Sequence, residues 1–457
     1  MKILFQGGWR VGRDAAETRK LIEDYCLALG KYIVQEHHTI VLTSNLEFDK
    51  VVADTLIARH RMKRFTLSLI VLSLILPISL EELAQGFVAS HRPMLKRVDG
   101  SSISTPDIEQ TVIRLMREAR VTGLSLAILN NNKVVYIKSF GFRNKEEQKP
   151  LTENTVMYGA SFTKATFAYL VLQLVAEGVL DLDKPIYEYL PKPLPEYEKY
   201  KDLASDDRYK LITMRMLLSH TAGFPNFRWI NPDEKLDIKF TPGSKYAYSG
   251  EGINLAQFII EAVTKKDVGE MMRGRIFKPF EMTRTSMTWE ERFKDDLAIG
   301  YDEKEQPIGH NRRTSVRAAG SMDTTISDYA RFMEAVMQGK GLTMRMKEVM
   351  LTPQVQIYSK TQFPTLSAET TEENRAIKLA YGLGWGLFQT PYGKAFFKEG
   401  HDDGWENHVV AFPDKKIALI LMANSSNGDS IFKELLEKLV KDKYTPWKWE
   451  GYIPYNS

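Results

Sequence analysis

The stretch Ser161-Phe162-Thr163-Lys164, continuing through Ala165 to Glu177 and closing at Gly178, decides how the chain is read. Its apolar residues, Phe167, Leu170, Val171, Leu172, Leu174 and Val175, fall nearly all round a helical wheel, the pattern of a helix buried in a core. Ser161 then sits at the helix N-terminus, where free N–H groups and the dipole favour developing negative charge. Positions i and i+3 share one helical face, so the Lys164 amine reaches the Ser161 hydroxyl. Burial lowers the pKa of a lysine and frees it to act as a base. A serine is a poor nucleophile unless a base activates it, and this pairing supplies one without a histidine.

Two further stretches carry candidate chemistry. In Pro242-Gly243-Ser244-Lys245-Tyr246-Ala247-Tyr248-Ser249-Gly250, a Pro-Gly turn leads into an aromatic segment and then a helix from Ile253 to Val263. Tyr248 on such a loop passes a proton between nucleophile and leaving group, with a nearby ammonium favouring its phenolate; Tyr246 competes for the role or packs. Phe397 to Trp405, reading Phe-Lys-Glu-Gly-His-Asp-Asp-Gly-Trp, precedes the strand Val409 to Phe412, the turn Pro413 to Lys416 and the apolar strand Ile417 to Met422. That ending reads as an antiparallel pair in a sheet core.

Working outward, Asp107 to Arg120 is an amphipathic helix, and Leu124 to Leu129 with Val134 to Phe140 form a hairpin around Asn130-Asn131-Asn132. Helix, hairpin and then the candidate nucleophile make an α+β opening. The expected architecture is an antiparallel sheet flanked by helices, with a helical subdomain inserted between the motifs. The hydrolase domain is set at residues 107–441, with a linker at 86–106 and a C-terminal tail at 442–457.

The first 61 residues differ. A strand at Ile3 to Phe5, the Gly7-Gly8 turn, a helix from Ala15 to Gln35 and a second strand at Thr39 to Leu42 resemble half of a small Rossmannoid nucleotide-sensing domain. Gly7, Gly8 and Arg10 are its candidate nucleotide contacts, with Arg13 in reserve. The pattern breaks off without a complete G-x-G-x-x-G, which favours a remnant or packing module. Residues 62–85 contain Phe65 to Leu80, an uncharged apolar stretch preceded by Arg59, Arg61, Lys63 and Arg64. Two export readings compete with a buried core helix: an internal signal anchor, or a signal peptide starting at Met62. Either export reading associates the chain with a membrane through residues 65–80 and puts the catalytic region outside the cytoplasm.

Composition narrows the classes. The chain has 457 residues, 43% hydrophobic and 26% charged, with a formal net charge of +4 and no run of basic residues that would mark a nucleic-acid partner. Cys26 is the only cysteine, so an intrachain disulfide and a Cys-based metal site are excluded. His310 and His408 have no partner at metal-ligand spacing, and no metal or cofactor is expected. His220 reads as a packed, hydrogen-bonded residue.

The stretch from about Asp107 to about Lys441 resembles the serine β-lactamase and penicillin-binding-protein superfamily, closest to its class C-like group of esterases, D-amino-acid peptidases and carboxypeptidases. Tyr158 to Lys164 is similar to the nucleophile motif, Leu180 to Pro185 to the turn after its helix, and Leu217 to Gly223 and Tyr381 to Trp385 to two further signatures. Tyr248-Ser249-Gly250 occupies the Tyr-x-Asn position, which implies Tyr248 as catalytic tyrosine. The resemblance puts His401 at the start of the third motif, where Lys-Thr-Gly or His-x-Gly is usual, and implies Ser161 and Gly404 N–H groups as the oxyanion hole. Gly250 then replaces an asparagine and Asp403 a glycine, both substrate-facing positions. The function implied is an acyl-enzyme serine hydrolase acting on a small ester or amide, including a D-amino-acid peptide. The alternatives are a penicillin-binding protein or β-lactamase, and a non-catalytic binder on the same fold.

Overall fold

The computed structural model describes residues 94–457. The Rossmann-like segment with Gly7, Gly8 and Arg10, and the apolar stretch 65–80, lie outside the described residues. Among the described residues no helix is long and apolar enough to cross a membrane.

Nine strands form one antiparallel sheet. In chain order they are β1 (Gly123–Asn130), β2 (Lys133–Asn144), β3 (Lys149–Pro150), β4 (Val355–Gln356), β5 (Ala380–Tyr381), β6 (Gly386–Thr390), β7 (Gly393–Asp402), β8 (Trp405–Phe412) and β9 (Ile417–Ala423). Their spatial order is β4-β5-β6-β7-β8-β9-β1-β2-β3. The last strand thus pairs with the first, Ile417 opposite Asn130 and Ala423 opposite Leu124. Every residue of β1, β8 and β9 is buried, as expected of strands covered on both faces.

Alternation along β1 divides the core. Leu124, Leu126 and Ile128 face one side, against α1 (Thr105–Ala119) and the C-terminal helix, while Ala127 and Leu129 face the other. Ser104 caps α1 by accepting the Asp107 N–H at 3.3 Å, Pro106 fits the first turn, and Arg120 ends the helix with φ 54°. The opposite face carries α2 (Phe162–Ala176), α3 (Gly250–Thr264) and α4 (Ile326–Gln338), all inserted between β3 and β4. Thirteen consecutive residues of α2, Phe162 to Leu174, are buried. The expected helical insertion is therefore present, with its buried helix at the centre.

Two boundaries move. The expected linker contains a hairpin, Met94–Lys96 paired with Ser102–Ser104, whose Leu95, Val98 and Ile103 enter the core beside α1. Met94, Lys96, Ser101 and Ser102 are its exposed residues and Leu95, Ile103 and Ser104 its buried ones, so the folded unit already includes Met94 and does not start at Asp107. The C-terminal tail also belongs to the body: Asp442, Trp447 and Trp449 are buried, and Trp449 packs on Tyr246 and Phe397.

Candidate active site

The turn that presents Ser161 is built before the helix begins. Ala160 holds φ 44°, a left-handed conformation that costs a non-glycine residue of order 1 kcal/mol. The surroundings fix it: the Gly159 N–H donates to the Met322 carbonyl at 2.9 Å, and Thr163 Oγ1 donates to the Ala160 carbonyl at 2.6 Å. Ser161 itself has helical angles and caps α2. No backbone acceptor among the described residues takes its N–H, which leaves that donor at the helix N-terminus available to an anion.

Lys164, one turn on, is 2% exposed. Its Nζ lies 2.9 Å from Ser161 Oγ and donates to the Ala319 carbonyl at 2.6 Å. Burial, and then repulsion from Lys398, push the amine well below its ordinary pKa against the opposing pull of Glu399. With its pKa lowered in this way, the amine is placed to take a proton from the Ser161 hydroxyl. Helix α3 helps set the geometry from behind, since Asn254 Oδ1 accepts the Ala319 N–H at 3.3 Å and Gln257 Oε1 the Ala318 N–H at 2.8 Å.

Tyr248 lies between two lysines, its ring 4.9 Å from Lys164 Nζ and 4.9 Å from Lys398 Nζ. Its loop is clamped by His220, which holds φ 58°. The His220 carbonyl accepts the Ala247 N–H at 2.8 Å, and its Nδ1 accepts the Ser249 N–H at 3.2 Å, so the ring proton sits on Nε2. Burial drives His220 far below its ordinary pKa and keeps it neutral. The phenol does not behave as the sequence suggests. Burial first, and then Glu399, raise the Tyr248 pKa well above the usual range, against a smaller opposing effect of the Ser161 hydroxyl. The resting site holds a phenol, not a phenolate.

The third side of the site is β7, and here the expected alignment shifts by three residues. Lys398 is fully buried and Nζ donates to Tyr248 Oη at 3.1 Å, to the Glu399 carbonyl at 2.9 Å and to Glu399 Oε1 at 2.7 Å. Burial lowers the Lys398 pKa, and Glu399 opposes the shift. For Glu399 burial is also the largest influence, but Lys398 and the hydrogen bonds to it outweigh burial and hold the carboxyl below its ordinary range. Gln362 Nε2 donates to the same Glu399 oxygen at 2.9 Å. Gly400 passes so close to the serine turn that a Cβ would stand 3.0 Å from the Gly159 carbonyl and 3.3 Å from the Phe162 nitrogen. Lys398-Glu399-Gly400 therefore has the Lys-x-Gly spacing at the place where the strand meets Ser161.

The residues assigned to this motif from sequence sit further along. His401 lines the cavity, but its exposed ring pairs with Glu406 at 2.5 Å instead of meeting Tyr248. Asp403 and Gly404 form the two-residue turn that closes the β7–β8 hairpin. Asp403 is exposed and does not replace the motif glycine, because Gly400 is that glycine. The Gly404 N–H donates to Ser426 Oγ at 2.8 Å, which removes it as an oxyanion donor. The unpaired edge is elsewhere: β6 pairs with β7 only as far as Phe397, so residues 398–402 run past its end beside Ser161.

Gly250 starts α3 with its N–H donating to Asn226 Oδ1 at 3.0 Å. A Cβ there would come within 2.5 Å of the Phe227 ring, which fills the space a side chain would use. Phe227 stacks on Trp229 with centroids 4.1 Å apart, and both line the cavity with Asn226. The cavity encloses about 1150 Å³ and contains Ser161, Lys164, Tyr248, Glu399 and Gly400 in its wall. Among the described residues no group of three or more His, Cys, Asp or Glu converges in a metal-binding arrangement.

Ser161, Lys164 and Tyr248 thus come together as the motifs suggest. Lys398, Glu399 and Asn254 were missed. The Lys-x-Gly spacing in Phe397 to Gly400 was the available signal for Lys398; the places of Glu399 and Asn254 depend on tertiary contacts.

Known proteins give the same picture. The family model described as Beta-lactamase matches residues 108–440. A beta-lactamase from Pseudomonas fluorescens is 23% identical over 344 residues, covering 70% of this chain and 93% of the relative. Penicillin-binding protein 4* of Bacillus subtilis (strain 168) is 23% identical over 364 residues, covering 72% of this chain and 74% of the relative. Among solved structures, an octameric penicillin-binding protein homologue from Pyrococcus abyssi aligns with a TM-score of 0.59 at 22% identity, covering 74% of this chain and 79% of that one. With the fold, the buried Ser161–Lys164 helix and the matched span in agreement, the chain belongs to the beta-lactamase family, within the serine β-lactamase and penicillin-binding-protein superfamily.

Proposed function

We propose that the protein is a serine hydrolase that cleaves an ester or amide through an acyl-enzyme on Ser161. The observation that carries this reading is the 2.9 Å contact between Ser161 Oγ and Lys164, an amine whose pKa burial pushes well below the ordinary lysine value. Lys164 takes the hydroxyl proton as Oγ attacks the substrate carbonyl. The Ser161 N–H and an N–H from the free edge of β7 near Gly400 receive the oxyanion; removing one such donor typically costs about 100-fold or more in rate. Tyr248, protonated at rest, donates its proton to the leaving group as the C–O or C–N bond breaks and takes back the proton that Lys164 removed from Ser161. Both groups thus return to their resting states, while Lys398, 3.1 Å away, holds the phenolate oxygen in between. Water then attacks the acyl carbonyl with Lys164 again as base, and Ser161 is released.

The test is hydrolysis of p-nitrophenyl butyrate by the wild type and by Ser161→Ala. Turnover that disappears in the variant is expected. Turnover that survives it would show that another group is the nucleophile, and none in the wild type with any activated ester would leave a binding protein on a hydrolase fold. A penicillin that acylates Ser161 faster than the ester would instead favour the penicillin-binding reading.

A further inference from the structure

A carboxylate bound internally to the second lysine has a consequence for substrate choice. A substrate with a negative charge beside its scissile group needs a cation beside Ser161. Two lysines are close enough to serve; His401, the other cation on this edge, is held by Glu406 at 2.5 Å, whose hydrogen bond raises its pKa to about 9. Lys164 is engaged with Ser161 and the Ala319 carbonyl. Lys398 spends all three ammonium protons on Tyr248 Oη, the Glu399 carbonyl and Glu399 Oε1.

The Lys398–Glu399 pair is neutral wherever its proton resides. Gln362 donates to the same carboxylate oxygen as Lys398, and Glu399 lines the cavity. Other cavity cations are committed or turned to other partners: Arg228 pairs with Glu251 at 2.8 Å, while Arg313 lies 3.3 Å over the Tyr158 ring and within 4.0 Å of Asp323 and Asp402. Arg312 packs over Trp289, and Lys199 and Arg317 also line the cavity.

We propose that Glu399 is a specificity-determining residue that selects substrates uncharged next to the scissile carbonyl and rejects those with a carboxylate there. This rests on the acyl-serine reading above and narrows it to neutral esters and amides. Penicillins, which carry a carboxylate beside the reactive amide, fall in the rejected class.

A matched pair of esters tests it: the p-nitrophenyl half-ester of succinate and the methyl ester of the same compound, which share an acyl chain and differ by one charge. The wild type is expected to favour the neutral ester in kcat/KM by about tenfold or more, and Glu399→Gln to shrink that ratio by about tenfold, because Lys398 regains an uncompensated charge. Equal handling of the two esters by the wild type overturns the proposal, whether or not the variant folds. So does a Glu399→Gln enzyme that changes both rates by the same factor, the signature of a purely structural role. If the wild type cleaves neither ester, the hydrolase reading fails instead, and the charge ratio is not the reason.

Discussion

Two buried lysines flank the Tyr248 ring at the same 4.9 Å, and they differ in what else they touch. Lys164 meets a hydroxyl and a carbonyl and no carboxylate, so burial has its way and the amine tends to neutrality. Lys398 meets the Glu399 carboxylate at 2.7 Å, which opposes the same burial. Position in the fold is nearly equivalent; partner chemistry decides that one lysine is a base and the other a member of an ion pair. The comparison also says which lysine the fold needs. Removing Lys398 strands a charge, whereas removing Lys164 relieves a burden.

That contrast can be broken in four ways. The largest effect is expected from Lys164→Met on activity, a fall in kcat/KM of roughly 10³–10⁴ for p-nitrophenyl butyrate, since the serine loses its base. A fall of less than tenfold would mean another group deprotonates Ser161. Next comes Lys398→Met on stability: urea unfolding should show a loss of about 1–3 kcal/mol, because Glu399, 15% exposed in the cavity wall, loses its charged partner. The double variant Lys398→Met with Glu399→Gln should recover part of it, and no recovery would show that the pair is not coupled.

Gly400→Ala tests the strand contact. A Cβ 3.0 Å from the Gly159 carbonyl must displace either β7 or the serine turn, and about a tenfold loss of kcat is expected if β7 supplies an oxyanion donor. The smallest effect is the most telling for the comparison. Lys164 has a folded-state pKa below its unfolded value of 10.5, so burying it costs stability wherever the unfolded lysine is charged. Lys164→Met is therefore expected to gain about 1 kcal/mol at neutral pH, the usual exchange of stability for function. The gain should shrink as pH rises toward 10.5. A variant that melts lower than wild type at every pH would contradict a neutral, costly amine at this position.

The parts of the site legible in sequence are the parts encoded locally. Ser161 and Lys164 are one helical turn apart, and the apolar run from Phe167 to Val175 alone says that the helix is buried. The β7 motif is ambiguous in sequence, because a histidine three residues on also fits its start, while Lys398 and Gly400 carry the Lys-x-Gly spacing. The structure separates the two by burial, Lys398 inside and His401 exposed. The Tyr248 charge state was legible only to the point of an ammonium nearby; the opposing Glu399 and the depth of burial are tertiary facts. In the same way, the space beside Gly250 is filled by Phe227, 23 positions earlier in the chain, which no local pattern announces. The hairpin before α1 was hidden by its polar half.

The most direct measurement is intact mass after exposure to a fluorophosphonate, run on the wild type and on Ser161→Ala side by side. One phosphonyl adduct on the wild type, mapped to the peptide bearing Ser161 and missing from the variant, is the expected result. An unmodified wild type, or an adduct that persists when Ser161 is gone, would contradict the assignment of Ser161 as an activated nucleophile.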